Sequence, residues 1–144
     1  MTDSTTTAGA PSLEAASLDE ASAFVKAAGL LLDEVSGTKV VGHIEIGAGH
    51  HTPWGITHGG VYTTAIESAA SIGASTAVRE QGQVAVGLTN TTHFLRSITE
   101  GTAHVVGVAL NQGRTQQLWQ VDITDGDGRL IAHGEVRLQN ITPG

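Results

Sequence analysis

In the 144-residue chain, the segment from His58 to Glu80 is the most uniform in its small and apolar residues. Between His58 and Arg79 its only charged residue is Glu67, and most of the others are Ala, Ser, Thr, Gly and Ile. A helix that is apolar or small nearly all round is buried on most sides. We therefore predict one long central helix over residues 58–80, closely packed by the rest of the protein.

Five other segments show the alternation of apolar and polar positions that is typical of strands. They are Lys39 to Ile46, Val84 to Thr91, Thr102 to Leu110, Gln117 to Thr124 and Arg129 to Gln139. The sequence Asp-Gly-Asp-Gly at 125–128 predicts a hairpin between the last two. Successive hairpins without a strand–helix alternation indicate an antiparallel sheet wrapped around the buried helix, an α+β fold.

The N-terminal region differs in character from the rest of the chain. Residues 1–12 are polar and rich in Ser, Thr, Ala, Gly and Pro, which predicts a disordered tail. Ser17 and Glu20 have the spacing of a capping box, and the helical stripe that follows them is expected to stop at Gly29. The length suits one domain, so we assign residues 13–144 to a single domain.

Composition excludes several classes of function. The chain has no cysteine, which rules out disulfides, a cysteine nucleophile and cysteine-ligated metal sites. Lys and Arg number 7 against 14 Asp and Glu, and the net charge of −7 argues against nucleic acid as a partner. No apolar run reaches the roughly 18 residues of a membrane span, and the N-terminus lacks the pattern of a secretory signal. We expect a cytoplasmic protein with no membrane partner.

Glu67 is the most informative residue, because an unpaired buried carboxylate costs several kcal/mol. Thr63, Thr64 and Ser71 lie three or four positions away from it and form a polar stripe with it on one face of the helix. The pattern favours an acid/base group or a nucleophile in a small polar pocket. The alternative is a structural carboxylate held by hydroxyls or by an arginine of a partner subunit.

The predicted start of the helix offers a complementary group. Residues 47–57 show no periodicity and predict a loop, and His58, Gly59 and Gly60 follow directly. Backbone N–H groups at a helix start are free and lie at the positive end of the helix dipole. We predict that the N–H groups of the two glycines polarise a carbonyl, with Glu67 two turns further along. A tight helix start that needs glycine only for packing is the alternative.

The remaining polar candidates carry less information. The three histidines within residues 50–58 have no further ligand at a useful spacing, so we expect no metal site. The stretch 90–97 ends a strand with polar groups and an aromatic ring, and its Arg96 suits a phosphate or a carboxylate. Arg114 is either a hairpin tip or a phosphate contact.

The chain resembles hotdog-fold acyl-CoA thioesterases of the phenylacetic-acid-degradation type. It is similar to the branch that includes the Arthrobacter-type 4-hydroxybenzoyl-CoA thioesterase. Three stretches carry the resemblance: WGITHGGVYTTAIESAAS (54–71), NTTHFLRSITEG (90–101) and GRTQQLWQVDITD (113–125). The resemblance implies a hotdog fold, a homodimer with the active site at its interface, and a homotetramer built from two dimers. It implies no cofactor, because CoA is part of the substrate.

The resemblance also implies roles for individual residues. Glu67 matches the catalytic carboxylate, which acts as nucleophile or general base, and Gly59 matches the residue whose N–H polarises the thioester carbonyl. Ser71 matches a hydroxyl that orients water. The expected catalytic residues are Glu67, Gly59, Gly60, His58, Ser71 and Thr52. The expected substrate-binding residues are Asn90, Thr91, Arg96, Ser97, Arg114 and Thr115, together with Trp54, Tyr62 and Phe94, which either line an aryl pocket or belong to the core.

One position departs from the family pattern. The relatives carry Gln or Asn near the thioester where this chain has Thr52, so His51, Thr52 or Asn90 of the partner subunit would substitute for it. We expect hydrolysis of an aromatic or medium-chain acyl-CoA, a dihydroxynaphthoyl thioester among the options. Two other functions stay open: an enoyl-thioester hydratase or dehydratase of the same fold, and a non-catalytic acyl-CoA binding module.

Overall fold

The computed structural model describes residues 22–144, so the predicted tail at 1–12 and the capping box of Ser17 and Glu20 lie outside the described residues. The helices are α1 (Ala23–Ala28) and α2 (Gly59–Val78). The strands are β1 (Leu31–Val35), β2 (Lys39–Ile46), β3 (Val84–Phe94), β4 (Gly101–Gln112), β5 (Gln116–Thr124) and β6 (Leu130–Ile141). Short 3₁₀ turns lie at Ala48–His50 and Arg79–Gln81. No helix within 22–144 is long and apolar enough to cross a membrane.

The six strands form one antiparallel sheet in the order β1-β2-β4-β5-β6-β3, and α2 packs across one face of it. The predicted α+β fold with one central helix is confirmed, and so are the five predicted strands. The helix spans 59–78 rather than 58–80, because its last turn tightens into the 3₁₀ turn and the chain then reverses at Gly82 with a φ of 71°.

The helix lies close to the sheet because small residues face the strands. Trp119 on β5 is fully buried, and a methyl group at Gly73 of α2 would overlap its ring. Alternate residues of β5 are buried, as the period-two pattern predicts for a strand with one face on the core. This close packing fixes the position of α2, and therefore of Glu67, relative to the strands.

Two features of the sheet differ from the prediction. Strand β1 was not predicted, because its five residues are mostly exposed and show no alternation of apolar and polar positions. The expectation of successive hairpins is wrong for β3, which pairs with β6 and not with β4. Strand β4 pairs instead with β2, which lies towards the opposite edge of the sheet from β3. The connection between β3 and β4 must therefore cross over the fold.

This crossover, residues 95–100, helps to form the start of α2. The N–H of Leu95 donates to the carbonyl of Ile131 at 2.8 Å, which keeps the chain beside β6. Further along, the carbonyl of Ile98 accepts bonds from the Thr57 N–H at 3.2 Å and the Thr57 hydroxyl at 2.7 Å. The crossover is thus attached to the loop that leads into α2.

Candidate active site

A side chain of strand β3 holds the carboxylate of Glu67. The side-chain amide of Asn90 donates to Glu67 Oε1 at 3.0 Å and to the carbonyl of Thr63 at 3.3 Å. The hydroxyl of Thr92 donates to Asn90 Oδ1 at 2.7 Å, so the amide group faces the carboxylate with its N–H groups. Asn90 was predicted as a substrate contact, and the structure shows it orienting Glu67.

Strand β3 is shaped around the second carboxylate oxygen. A methyl group at Gly87 would overlap Glu67 Oε2, so glycine leaves room for the carboxylate in the position that the structure shows. The pairing of β3 with β6 also shifts register between Gly87 and Thr89. An isolated glycine within a strand often marks a close approach, so the sequence does contain a signal for this contact.

A groove of about 370 Å³ opens beside the carboxylate. It is lined by Phe24, Val25, Thr63, Thr64, Glu67, Ser68 and Asn90. The predicted polar stripe is therefore present where Thr63 and Thr64 border the groove. Ser71 is half-buried one turn further along and does not border it. Ser68 is the serine that lies beside Glu67 in this groove.

The start of α2 differs from the prediction in one respect. His58 is the N-cap, and its Nδ1 accepts the Gly60 N–H at 2.8 Å. The Gly60 N–H is therefore not free to bind a carbonyl oxygen. The N–H of Gly59 has no acceptor among residues 22–144 and is the available donor at this helix start.

Gly59 borders a second groove, of about 440 Å³. It is lined by Thr52, Ile56, Thr57, Gly59, Tyr62, Phe94, Leu95, Arg96 and Ser97. Six predicted site residues thus meet here, because the crossover after β3 passes over the start of α2. Arg96 supplies the positive charge of this groove, and the apolar side chains of Phe94 and Leu95 are largely exposed beside it.

Tyr62 lies on the same groove with its hydroxyl buried. The hydroxyl forms no well-aligned hydrogen bond with any of residues 22–144. Burial raises the pKa of Tyr62, and a weak interaction with the Thr57 hydroxyl lowers it by less. The ring belongs to the buried core, so Tyr62 presents little of its surface to a ligand.

Thr52 and Trp54 form the turn before the helix. The hydroxyl of Thr52 accepts the Trp54 N–H at 3.2 Å, and its carbonyl accepts the Gly55 N–H at 3.0 Å. Thr52 borders the second groove, but its hydroxyl already accepts a hydrogen bond within the turn. The side chain of Trp54 is 84% exposed and lies outside that groove.

Three predicted substrate contacts lie elsewhere in the single chain. Thr91 is exposed on the opposite face of β3 from Asn90, since side chains alternate along a strand. Arg114 borders a separate groove near Val78, at the C-terminal end of α2. Thr115 is in the exposed turn beside it. The structure does not bring these residues to either groove at the other end of the helix.

Gly59 and Glu67 border different grooves. Gly59 and Glu67 are eight residues apart, which places them roughly 12 Å apart along the helix axis and about 80° apart around it. The Gly59 N–H borders the groove under the crossover, and the Glu67 carboxylate borders the groove beside α1. One chain therefore holds an N–H donor and a carboxylate that do not converge on one point.

Comparison with known proteins identifies the family. Residues 55–132, more than half of the chain, match the family described as thioesterase superfamily. The chain belongs to the thioesterase superfamily. The matched region contains α2, β3 and the crossover, which contribute most of the residues that line the two grooves. The hotdog fold that the sequence resemblance implied is confirmed.

Individual members of the thioesterase superfamily agree with this. A Mycobacterium tuberculosis protein named as a candidate esterase is 46% identical over 89 residues, which cover 60% of this chain and 64% of that relative. The match thus spans less than two thirds of the relative's length. A 1,4-dihydroxy-2-naphthoyl-CoA hydrolase of Listeria monocytogenes is 32% identical over 103 residues, covering 72% and 83% of the two chains. The structure of the M. tuberculosis esterase superposes with a TM-score of 0.80 at 37% identity, covering 84% and 98%.

Proposed function

We propose that this protein hydrolyses an acyl-CoA thioester to a free acid and CoA. The observation that carries the proposal is the Glu67 carboxylate, which Asn90 holds at the edge of an open groove while Oε2 accepts no hydrogen bond from residues 22–144. A carboxylate with an unoccupied oxygen at an open groove can take a proton or attack a carbon. The free Gly59 N–H supplies the complementary carbonyl-binding donor.

The chemistry follows from these two groups. With Glu67 as general base, the carboxylate takes a proton from water while the water oxygen attacks the thioester carbon. The Gly59 N–H stabilises the negative charge that develops on the carbonyl oxygen. The C–S bond then breaks, and the proton on Glu67 passes to the CoA thiolate. With Glu67 as nucleophile, the carboxylate forms an anhydride with the acyl group, and water hydrolyses it in a second step.

The proposal includes a second copy of the chain. Within one chain Gly59 and Glu67 face different grooves, so one active site would combine Glu67 with Gly59 of the partner subunit. Strand β3 lies at an edge of the sheet and exposes Val86 and Leu88, and an unpaired edge of this kind suits strand pairing. We therefore propose a homodimer with two shared sites, which associates further into a homotetramer.

The acyl group is proposed to be aromatic or of medium length. The name of the Listeria relative specifies a dihydroxynaphthoyl thioester, and the grooves here combine apolar walls with few charges. We place the chain near the phenylacetic-acid-degradation type, in the Arthrobacter 4-hydroxybenzoyl-CoA branch, and in the cytoplasm, where its proposed charged substrate would be made. Arg96 is the proposed contact for a CoA phosphate, since it borders the Gly59 groove.

The test is thiol release from benzoyl-, phenylacetyl-, dihydroxynaphthoyl-, hexanoyl- and palmitoyl-CoA by the wild-type protein. The proposal expects equal amounts of free acid and CoA from at least one aromatic or medium-chain substrate. Hydration of an enoyl-CoA without thiol release would favour the hydratase instead. Binding of CoA thioesters with no turnover would favour a binding module.

The shared site has its own test. Glu67→Gln removes the acid/base group, and Gly59→Pro removes the donor N–H at a helix position that tolerates proline. If the site is shared, mixing the two inactive variants restores activity, because a mixed dimer contains one site with both groups intact. If both groups of a site came from one chain, no mixture could restore it.

A further inference from the structure

Phe24 stands out among the residues around Glu67 because it borders two cavities. One is the groove that contains the Glu67 carboxylate. The other, also of about 370 Å³, lies between α1, the loop before α2 and the first turn of α2. Among residues 22–144, only Phe24 and Thr64 border both, so the two cavities are neighbours that meet at these side chains.

The helix that carries Phe24 is anchored at its other end. Ala28 and Leu30 are buried in the core, and the chain turns at Gly29 with a φ of 86°. His50 Nε2 lies 3.1 Å from the carbonyl of Ala27, and its Nδ1 accepts the Gly47 N–H at 3.3 Å. With Nδ1 as acceptor, Nε2 carries the proton and donates to the Ala27 carbonyl. These bonds tie α1 to the loop that leads into α2.

The ring of Phe24 itself contributes little to the core. Its side chain is 69% exposed although α1 is anchored. The cavity behind it is mostly apolar, with Ala27 and Val61 among its walls. An apolar ring at the boundary between a reactive carboxylate and an apolar cavity is placed to contact an acyl group.

We propose that Phe24 sets the size of the acyl group accepted beside Glu67, by closing the path into the cavity behind it. This rests on the proposed thioesterase function and narrows its substrate class. A compact acyl group, such as a single ring or a hexanoyl chain, fits in the Glu67 groove with Phe24 in place. A longer chain needs the space behind the ring.

The test measures binding separately from hydrolysis. Calorimetry with S-hexyl-CoA, S-benzyl-CoA and S-dodecyl-CoA, thioethers that cannot be hydrolysed, is run on wild type, Phe24→Ala and Phe24→Trp. Opening the cavity in Phe24→Ala is expected to raise the affinity for the dodecyl ligand relative to the hexyl ligand by roughly tenfold or more. Phe24→Trp is expected to shift the ratio in the opposite direction. Leu130→Ala removes an exposed apolar side chain outside both cavities and should match the wild type.

Three results would overturn the inference. They are an unchanged dodecyl-to-hexyl affinity ratio in Phe24→Ala, no binding of any thioether, and a loss of the wild-type oligomeric state in sedimentation of Phe24→Ala. The last would show that a second copy covers the ring. Failure of the thioesterase proposal looks different: the wild type would bind the thioethers and release no thiol from the corresponding thioesters.

Discussion

In each half of α2, an amide side chain from the sheet donates to a backbone carbonyl of the helix. The two amides differ in the other groups to which they are bonded. In the C-terminal half, buried Gln117 donates to the carbonyl of Ala74 at 3.0 Å and to Asn140 Oδ1 at 2.9 Å. Its own oxygen accepts the indole N–H of Trp119 at 2.9 Å. In the N-terminal half, the side-chain amide of Asn90 donates to the carbonyl of Thr63.

The two amide side chains differ in their other hydrogen-bond partners. The Gln117 cluster is closed, because each polar atom of the Gln117 and Asn140 side chains is bonded to another group of the protein. The Asn90 contact ends at Glu67, whose Oε2 accepts no bond from residues 22–144, and the nearby Gly59 N–H also has no acceptor there. Closed polar clusters stabilise a fold, whereas open donors and acceptors at a groove are available to a substrate. We therefore assign the proposed chemistry to the N-terminal half of α2.

The largest effect is expected from removing the open donor. Gly59→Pro removes the N–H that we propose binds the carbonyl oxygen and adds ring carbons beside Phe94, and the extended conformation of His58 is compatible with a following proline. We expect kcat to fall by about 10²–10³, the usual cost of one such donor. Gly59→Ala is the control, since it adds a similar carbon against Phe94 and keeps the N–H. Equal kcat values for the two variants would contradict the assignment.

Next in size is a change at the closed cluster. Gln117→Leu leaves the Trp119 N–H and the Asn140 side chain without their buried partner, and each such loss costs about 1–3 kcal/mol. We expect urea unfolding to show a total loss of about 3 kcal/mol. The kcat per folded molecule should stay at the wild-type value, and a selective loss of kcat would show that this half also takes part in the chemistry.

A smaller effect is expected where β3 makes room for the carboxylate. The methyl group of Gly87→Ala would push Glu67 Oε2 away from its position. We expect kcat to fall by roughly tenfold to 100-fold, since small displacements of a reacting group are costly, while KM changes less. Gly126→Ala, which adds a methyl group in open space, is the matched control for thiol release. Wild-type kcat in both variants would contradict the contact.

The sequence predicted the fold better than it predicted the site. The small, nearly uncharged segment around Glu67 was enough to predict a central helix and a wrapped sheet, because only a buried helix has that composition. Local patterns could not show that β3 pairs with β6, since pairing depends on contacts far apart in the chain. The crossover that forms the Gly59 groove was missed for the same reason.

Within the site, the sequence identified residue types but not their partners. Glu67 was predicted as the only charge in the helical segment and Gly59 from its place at the helix start, and the family resemblance implied a role for each. The Gly60 N–H was predicted to be free, and only the structure shows that the His58 ring accepts it. Phe24 falls within the helical stripe predicted before Gly29, but its place between two cavities depends on how α1 packs beside α2, which the sequence pattern does not show.

The smallest effect concerns stability alone. Asp125 in the β5–β6 turn accepts the Arg129 N–H at 2.9 Å, and mainly for this reason its pKa is lowered. A lowered folded-state pKa gives stability that is present above the ordinary pKa of about 3.9 and lost as the pH falls below it. In urea unfolding, Asp125→Asn should be less stable than wild type at neutral pH and equal to it in acid. A stability difference that does not depend on pH would contradict this.

The most direct measurement compares Glu67→Gln with Glu135→Gln, which makes the same chemical change at an exposed residue of β6. Thiol release is measured for both variants on the substrate that the wild type prefers, together with thermal unfolding. We predict that Glu67→Gln loses at least about 10²-fold in kcat and keeps the wild-type melting temperature, while Glu135→Gln matches the wild type in both. A Glu67→Gln variant with kcat within a few-fold of the wild type would show that the open carboxylate is not the group that performs the reaction.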